Sequence, residues 1–277
     1  MNQTSTHAAP TAKQQGFSLV ELSIVLVILG LLVGGVLSGQ SLIRAAELRS
    51  ISTDVSRYQA ATQSFRDKYF AIPGDMQNAT QFWSRLNGNA DCVTNSSPAS
   101  SVAAPGTCDG DGDGLIEQGA ATVSISIERF QFWRQLALAG LVEGSYTGLA
   151  GPGATNGEQP IIGTNVPRSK ISNTGFSSFY LNQPTDNANF FAIQGNILFF
   201  GTAIANSTAG DALRPEEAWN IDTKMDDGRP GTGLVHTTAS GNANGGTNCA
   251  STSVASTAIY LLNLTAAECS LILRLGL

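Results

Sequence analysis

The chain has 277 residues, a length that suits one or two domains and allows a sizeable core. Only 13% of the residues are charged, the net charge is −6, and no basic patch stands out, which argues against general nucleic-acid binding. The 30 glycines, together with frequent Ser, Thr and Asn, are typical of β-strands joined by long loops in secreted domains.

The N-terminal region begins with a polar stretch and continues with an apolar one. Residues 1–16 are polar, whereas residues 17–37 are almost wholly apolar. About 20 apolar residues, at ~1.5 Å per residue in a helix, span a bilayer core of ~30 Å. Glu21 interrupts this run. An acidic side chain costs about 2.5–3.5 kcal/mol at the bilayer centre, so we expect Glu21 to have a partner or a function.

Three interpretations of this segment compete. It is an ordinary secretory signal cleaved after Ser38, an uncleaved signal anchor, or a segment cut between Gly16 and Phe17 so that the apolar helix is kept. The third interpretation alone explains Glu21. The cut frees an α-amino group on Phe17, which can pair with the Glu21 carboxylate of a neighbouring subunit and offset the burial cost of both charges.

The segment Gly16-Phe17-Ser18-Leu19-Val20-Glu21, with the apolar run directly behind it, resembles the signal of type IV prepilins. The resemblance implies that a membrane prepilin peptidase cuts after Gly16 and methylates the new amino group of Phe17, and that Glu21 acts in assembly. It also implies a filament of the same or other pilin-like subunits, with an assembly platform and an ATPase as partners. Three later segments resemble a subgroup of pilin-like and type II secretion pseudopilin-like proteins with large head domains: 69–75, 132–136 and 221–228.

The resemblance and the charge pattern together predict the domain organisation. We expect residues 1–16 to be a leader peptide and residues 17–39 a transmembrane helix that becomes the filament core. Apolar side chains recur at helical spacing from Leu48 to Tyr69, and Pro73-Gly74 supplies a stop. Residues 40–72 are therefore predicted to be the amphipathic half of the same helix, and residues 73–277 a globular extracytoplasmic head domain.

The head is predicted to combine helices with an antiparallel sheet. Helices are predicted at 76–86 with Asp75 as N-cap, at 127–139, and from Pro215 onwards. Strands are predicted at 176–181, 189–193 and 196–200, with Gln194-Gly195 turning the last two into a hairpin. Terminal strands or a helix–strand pair are predicted at 258–264 and 271–277. The expected fold class is α+β and pilin-like: a long N-terminal α-helix packed on a C-terminal antiparallel β-sheet head with extra helices and long loops.

The chain has four cysteines, at Cys92, Cys108, Cys249 and Cys269. Their even number, long spacings and lack of a Cys-x-x-Cys pair favour disulfides over structural zinc, provided the domain lies in an oxidising compartment. We expect local pairs, Cys92–Cys108 and Cys249–Cys269. Lys13 before the apolar helix predicts that the head lies outside the cytoplasm. The prepilin resemblance implies a single pass through the inner membrane and, later, a periplasmic or cell-surface filament.

The segment 109–117 places carboxylates at alternate positions, as at the start of an EF-hand calcium loop. In this pattern Asp109, Asp111, Asp113 and Glu117 are candidate calcium ligands through their side chains, and Leu115 through its carbonyl. Ala120 stands where an EF-hand has a bidentate Glu, which predicts weak affinity, and an acidic turn without an ion is the alternative. Another candidate cation group is Asp222, Asp226 and Asp227, with a solvated helix end as the alternative.

Catalytic motifs are absent from the sequence. The chain has two histidines and lacks a Gly-x-Ser-x-Gly elbow, a phosphate loop and a zinc-binding His pair, and His236 is expected at the surface. The sequence therefore predicts a structural subunit, a pilin or pseudopilin that waits in membrane lipid before assembly, and no catalytic residues. The alternative is an extracytoplasmic binding or hydrolytic domain that uses the helix only as an anchor, which would need neither Glu21 nor the cut at Gly16.

Overall fold

The computed structural model describes residues 18–86, 106–117, 128–149, 151, 159–187, 189–238 and 249–277. Its elements are α1 (Leu19–Tyr69), α2 (Ala79–Trp83), α3 (Glu128–Leu138), β1 (Thr174–Gln183), β2 (Ile193–Thr202), α4 (Pro215–Met225), β3 (Val235–Thr237) and β4 (Leu271–Arg274). A long N-terminal helix, further helices and an antiparallel sheet confirm the predicted α+β, pilin-like layout. The chain divides into two compact units, Met1–Ala46 and Glu47–Leu277, and α1 contributes residues to both.

The first part of α1 is apolar on every side. Each large apolar side chain from Leu19 to Leu37 is at least 51% exposed. Within the described residues, α1 is long and apolar enough to cross a membrane, and its most apolar window has a mean hydropathy of 2.6 with no residue buried. An apolar surface of this extent is stable only against lipid or against other apolar surfaces.

The second part of α1 packs on the head through one stripe of its surface. The buried residues of the stripe are Ile51, Val55, Tyr58, Ala61, Thr62 and Phe65. Two amide side chains on the same part of the helix reach the C-terminal segment. Gln59 donates to the carbonyl of Arg274 at 2.8 Å, and Gln63 to the carbonyl of Gly276 at 3.0 Å. The second part of α1 therefore shares the core of the head, and the helix ends at Tyr69.

Helix α2 is shorter than predicted, and its N-cap position is Asn78, so the assignment of Asp75 as N-cap is wrong. Asp75 is buried, and its carboxylate instead accepts N–H groups from the loop near Gly112. Because these partners lie more than thirty residues away in sequence, the local capping pattern could not reveal them. The helix begun by Pro215 is confirmed, with Glu217 closing a capping box on the backbone of Arg214 at 3.0 Å.

The sheet has four strands in the order β1-β2-β4-β3, and all its pairs are antiparallel. The predicted hairpin turn at Gln194-Gly195 is wrong, because both residues lie inside β2 and pair with β1. Gly195 has a φ of +138°, which glycine adopts without leaving the strand. One face of the sheet meets α1 in the main core, whereas Phe179, Phe199 and Ile272 belong to a second cluster.

Cys249 and Cys269 form a disulfide with their Cα atoms 5.0 Å apart, which is the pairing predicted for these two residues. Cys108 is also disulfide-bonded, and Cys92 lies outside the described residues. The Cys249–Cys269 bridge closes a loop that carries Tyr260, whose hydroxyl donates to Asp222 at the end of α4. The loop is therefore fastened both covalently and by a buried hydrogen bond.

Removing this bridge is expected to destabilise the head. The two cysteines are separated by 20 residues, and closing a loop of that size contributes about 3 kcal/mol in the chain-entropy model. The double variant Cys249→Ala/Cys269→Ala should lower the urea midpoint of the detergent-solubilised protein accordingly. The disulfide of Cys108 stays intact in this variant and serves as the internal control. An unchanged midpoint would contradict the stabilising role of the bridge.

Candidate functional site

The start of α1 is closed by a capping box. The backbone N–H of Ser18 donates to Glu21 Oε2 at 2.9 Å, and the N–H of Val20 donates to Ser18 Oγ at 3.3 Å. Ser18 and Glu21 have the three-residue spacing of this motif, and the reciprocal bonds satisfy donors that the helix leaves open. Glu21 thus has a local role that its sequence interpretation missed. Gly16 and Phe17, the predicted cleavage and methylation residues, lie outside the described residues.

The cap leaves Glu21 able to bind a cation. Its side chain is exposed, and its second oxygen accepts no hydrogen bond from any described residue. A carboxylate in the first turn also lies at the positive end of the helix dipole, and this interaction stabilises the start of the helix. The position therefore presents a negative charge with one uncommitted oxygen at the start of an exposed apolar helix.

The acidic loop at 109–117 does not gather all of its predicted ligands. Both carboxylate oxygens of Asp109 accept hydrogen bonds from Thr80 at 2.8 Å, one from its N–H and one from its hydroxyl. Asp109 therefore serves the first turn of α2. Asp111 accepts the N–H of Asp113 at 3.1 Å, and Asp113 accepts the N–H of Leu115 at 2.8 Å. These two bonds curl the loop.

The structure brings a different carboxylate, that of Asp75, to the loop. Its oxygens accept the N–H groups of Gly112 at 2.5 Å and Gly114 at 2.9 Å. One carboxylate oxygen from each of Asp75, Asp111 and Asp113 lies within 4.8 Å of the others. Asp75 is 3% exposed, Asp111 is partly exposed and Asp113 is exposed. The cluster is an acidic corner with one buried and two solvent-facing carboxylates.

Electrostatics makes this corner receptive to a cation. The pKa of Asp75 is raised to about 6, mainly by burial and also by the charges of Asp113 and Asp111, against the lowering effect of the hydrogen bonds from Gly114 and Gly112. Burial, followed by the same two charges, also raises the pKa of Glu117. A divalent cation among closely spaced carboxylates would remove their repulsion. Of the predicted ligands, Asp111 and Asp113 thus lie together, and Glu117 lies within electrostatic range of both.

Glu128, at the start of α3, was also missed by sequence reasoning. It is buried, and its two oxygens accept the N–H groups of Asp111 at 3.2 Å and Glu117 at 3.1 Å. It therefore holds the middle and the end of the acidic loop at once. Burial raises the pKa of Glu128 to about 8, against the lowering effect of these hydrogen bonds. No local motif marks this residue, because its partners come from another segment.

The second acidic group, after α4, is explained by its hydrogen bonds. Asp222 is fully buried and accepts the hydroxyl of Tyr260 at 2.7 Å and the N–H of Gly228 at 3.1 Å. Asp226 accepts the N–H of Val235 at 3.2 Å, and Asp227 accepts the hydroxyl of a nearby threonine. These hydrogen bonds connect the end of α4 to β3 and to the disulfide loop. They account for acidic residues at a helix C-terminus without a bound cation.

The stability of the head is expected to depend on pH through Asp222. Burial raises its pKa to about 7, more than its hydrogen bonds with Tyr260 and Gly228 lower it. A carboxyl whose pKa is raised on folding stabilises the fold below its unfolded pKa of ~3.9, and that contribution is lost as the pH rises through about 7. In Asp222→Asn, stability should fall less as the pH rises, and the variant should melt a few degrees above wild type near pH 8.

The matched control is Glu216→Gln, at an exposed position in the first turn of the same helix, which should retain the wild-type dependence of the melting temperature on pH. The measurement is the melting temperature of the detergent-solubilised chain from acidic pH to about pH 8, above the raised pKa of Asp222. If the melting temperatures of wild type and Asp222→Asn change equally with pH, the raised pKa of Asp222 is contradicted.

His236 departs from its sequence expectation. It lies in β3 and is 3% exposed, so its predicted surface position is wrong. Its Nε2 lies 3.1 Å from the carbonyl of Gly233, and burial lowers its pKa. Pairing of the edge strand β3 with β4 places His236 opposite Ile272. This burial follows from a long-range strand pairing that the sequence does not reveal.

Comparison with known proteins bears on the N-terminal end of the chain. A family model, the prokaryotic N-terminal methylation motif, matches residues 11–37. No curated protein and no solved structure matches the chain. The matched range covers Gly16, Phe17 and Glu21 and the exposed apolar part of α1. The chain therefore carries the prepilin-type signal of type IV pilins and pseudopilins.

Proposed function

We propose that this chain is a structural subunit of an extracytoplasmic filament, either a type IV pilin or a type II secretion pseudopilin, and that it is not an enzyme. The observation that carries the proposal is the methylation motif at residues 11–37, which leads directly into a helix segment with exposed apolar side chains on every side. Prepilin peptidase cuts between Gly16 and Phe17 and methylates the amino group of Phe17.

The exposed apolar surface accounts for both stages of such a life cycle. Before assembly, lipid of the inner membrane covers the segment from Leu19 to Leu37, and the head lies outside the cytoplasm. During assembly, the same surface passes from lipid to the helices of neighbouring subunits, so that its apolar side chains stay out of water. A platform protein and an ATPase drive the transfer. The Cys249–Cys269 bridge fits a head that folds in an oxidising compartment.

Pairing between Glu21 and the amino group of Phe17 aligns each subunit with its neighbour in the filament. The cap uses one oxygen of its carboxylate, and the other is open to the methylated ammonium group of Phe17 from an adjacent subunit. In the low dielectric of a helix bundle, each of these charges alone would be strongly unfavourable, and pairing them offsets that cost. A helix that served only as an anchor would gain nothing from this carboxylate.

Two substitutions distinguish the proposed cut from a secretory cut. Gly16→Val should block cleavage, so that the chain keeps its leader, remains in the membrane and is missing from the sheared filament fraction. Ser38→Val, at the alternative secretory cleavage site, should be processed and assembled like wild type. Immunoblots of membrane and sheared fractions report both outcomes. Normal processing of Gly16→Val, or a block in Ser38→Val, would contradict the proposed function.

We further propose that the acidic loop binds calcium. The specific support is the placement of Asp75, Asp111 and Asp113, whose carboxylate oxygens lie within 4.8 Å of one another. Oxygen-only donors suit calcium, and Leu115 through its carbonyl and Glu117 through its side chain would complete the coordination. Asp109 holds the start of α2 through Thr80 and supports the loop from outside. The bound ion would stiffen this part of the head.

A further inference from the structure

Phe70, the residue that follows α1, has a backbone conformation that residues with bulky side chains rarely adopt. Its φ is +56°, in the left-handed region, and its N–H donates to the carbonyl of Arg66 at 2.8 Å to end the helix. Glycine is the residue that suits such a position, and a bulky side chain there is an outlier. The ring is 93% exposed, so burial does not compensate for the backbone cost. Strain of this kind concentrates at functional sites.

Phe70 borders an open cleft of about 810 Å³ between the end of α1 and the acidic loop. Beside Phe70 and Tyr69, the lining is rich in planar polar side chains, namely Gln63, Arg66, Asp67, Gln77 and Asn78. Amide, carboxylate and guanidinium groups each present two hydrogen-bonding atoms in one plane. The cleft thus combines an exposed aromatic face with several bidentate hydrogen-bonding groups.

Two of these polar side chains are available to a ligand. Asp67 and Asn78 are exposed, and neither side chain makes a hydrogen bond with any other described residue. The charges along the cleft do not favour an anion, because the guanidinium of Arg66 is outnumbered by the carboxylates of Asp67 and Asp75. A ligand that fits this lining is uncharged, carries many hydroxyl groups, and has an apolar face to place on the Phe70 ring.

We propose that this cleft binds carbohydrate, with the C–H face of a sugar ring on Phe70 and its hydroxyl groups on Asp67 and Asn78. The apolar face of a pyranose and the face of an aromatic ring are both flat and poorly hydrated, so stacking them removes apolar surface from water. Adjacent hydroxyl groups match the paired oxygens of a carboxylate and the oxygen and nitrogen of an amide. This inference goes beyond the filament function and does not depend on it.

The test is a titration of the full chain in a detergent without sugar groups and with chelator present. The probes are maltotriose, cellotriose and chitotriose, followed by saturation-transfer NMR. At least one of them should bind wild type. Phe70→Ala and Asp67→Asn should each weaken binding about tenfold or more, which corresponds to ~1.4 kcal/mol per decade. Trp219→Ala is the control, because Trp219 is an exposed aromatic residue in α4 that does not line the cleft, and this variant should bind with wild-type affinity.

Phe70→Gly separates ligand binding from folding. Glycine adopts positive φ without strain, so this variant should melt no lower than wild type while losing carbohydrate binding. The proposal is overturned if none of the three oligosaccharides binds at millimolar concentration. It is equally overturned if Phe70→Gly binds like wild type, or if inorganic phosphate competes for the site more effectively than the neutral sugars.

Discussion

Replacing Glu21 with alanine is expected to leave membrane insertion intact and to reduce filament yield by about a hundredfold or more. Insertion should become easier, because a carboxylate costs about 2.5–3.5 kcal/mol within the bilayer. Assembly should fail, because removing one partner of a buried ion pair leaves the other charge uncompensated at a cost of about 3–5 kcal/mol. The membrane fraction and the sheared filament fraction, compared by immunoblot, measure the two effects separately.

Glu21→Gln is the matched control, because it separates charge pairing from helix capping. The glutamine oxygen can still accept the N–H of Ser18, as Glu21 does at 2.9 Å, but the side chain carries no charge. If the carboxylate acts as a counter-charge, Glu21→Gln should fail to assemble, as Glu21→Ala does. Filament yield equal to wild type in Glu21→Gln would show that the residue only caps the helix.

Calcium is expected to raise the melting temperature of the full chain in detergent by roughly 5–10 °C. A ligand present at a hundredfold excess over its Kd stabilises the folded state by about 2.7 kcal/mol, and ~1 kcal/mol corresponds to about 2–4 °C for a domain of this size. The binding energy comes from relief of repulsion among Asp75, Asp111 and Asp113. Since the site lacks the bidentate Glu of an EF-hand, we expect a Kd of about 10⁻⁴ M, so that a hundredfold excess corresponds to about 10 mM calcium.

Two aspartates of the loop provide the comparison for the calcium site. Asp111→Ala should abolish the calcium-dependent rise, because it removes a carboxylate from the cluster. Asp109→Ala should lower the melting temperature in both buffers and keep the rise, because Asp109 serves Thr80. Equal melting temperatures of the wild type in chelator and in calcium would reduce the loop to an acidic turn.

The sequence predicted the features that depend on short-range patterns. The stripe on α1 from Ile51 to Phe65 follows helical spacing, and Pro215 starts its helix at the predicted residue. Both signals act within a few residues, so they hold without knowledge of the rest of the fold. The Ser18-x-x-Glu21 capping box belongs to the same class, and its spacing alone could have revealed it.

The remaining features depend on contacts between distant segments. Asp75 reaches Gly112 across 37 positions, and Glu128 reaches Asp111 across 17, so no window of sequence contains both partners. The false hairpin at Gln194-Gly195 has a related cause. A turn dipeptide has the same sequence whether it ends a strand or lies within one, and only the pairing of β1 with β2 decides between them. Long-range contacts thus explain why the observed acidic cluster contains Asp75, whereas the sequence predicted Asp109.

The intact mass and N-terminal residue of the mature chain, taken from the membrane fraction, test the filament proposal most directly. The account predicts a chain that begins at Phe17, carries one added methyl group on its α-amino nitrogen and keeps the whole of α1. Only that cut retains the apolar segment and frees an amine for Glu21. A mature chain that begins at Gly39 would contradict the account, because it would have lost Glu21 and the membrane helix and would be an ordinary secreted protein.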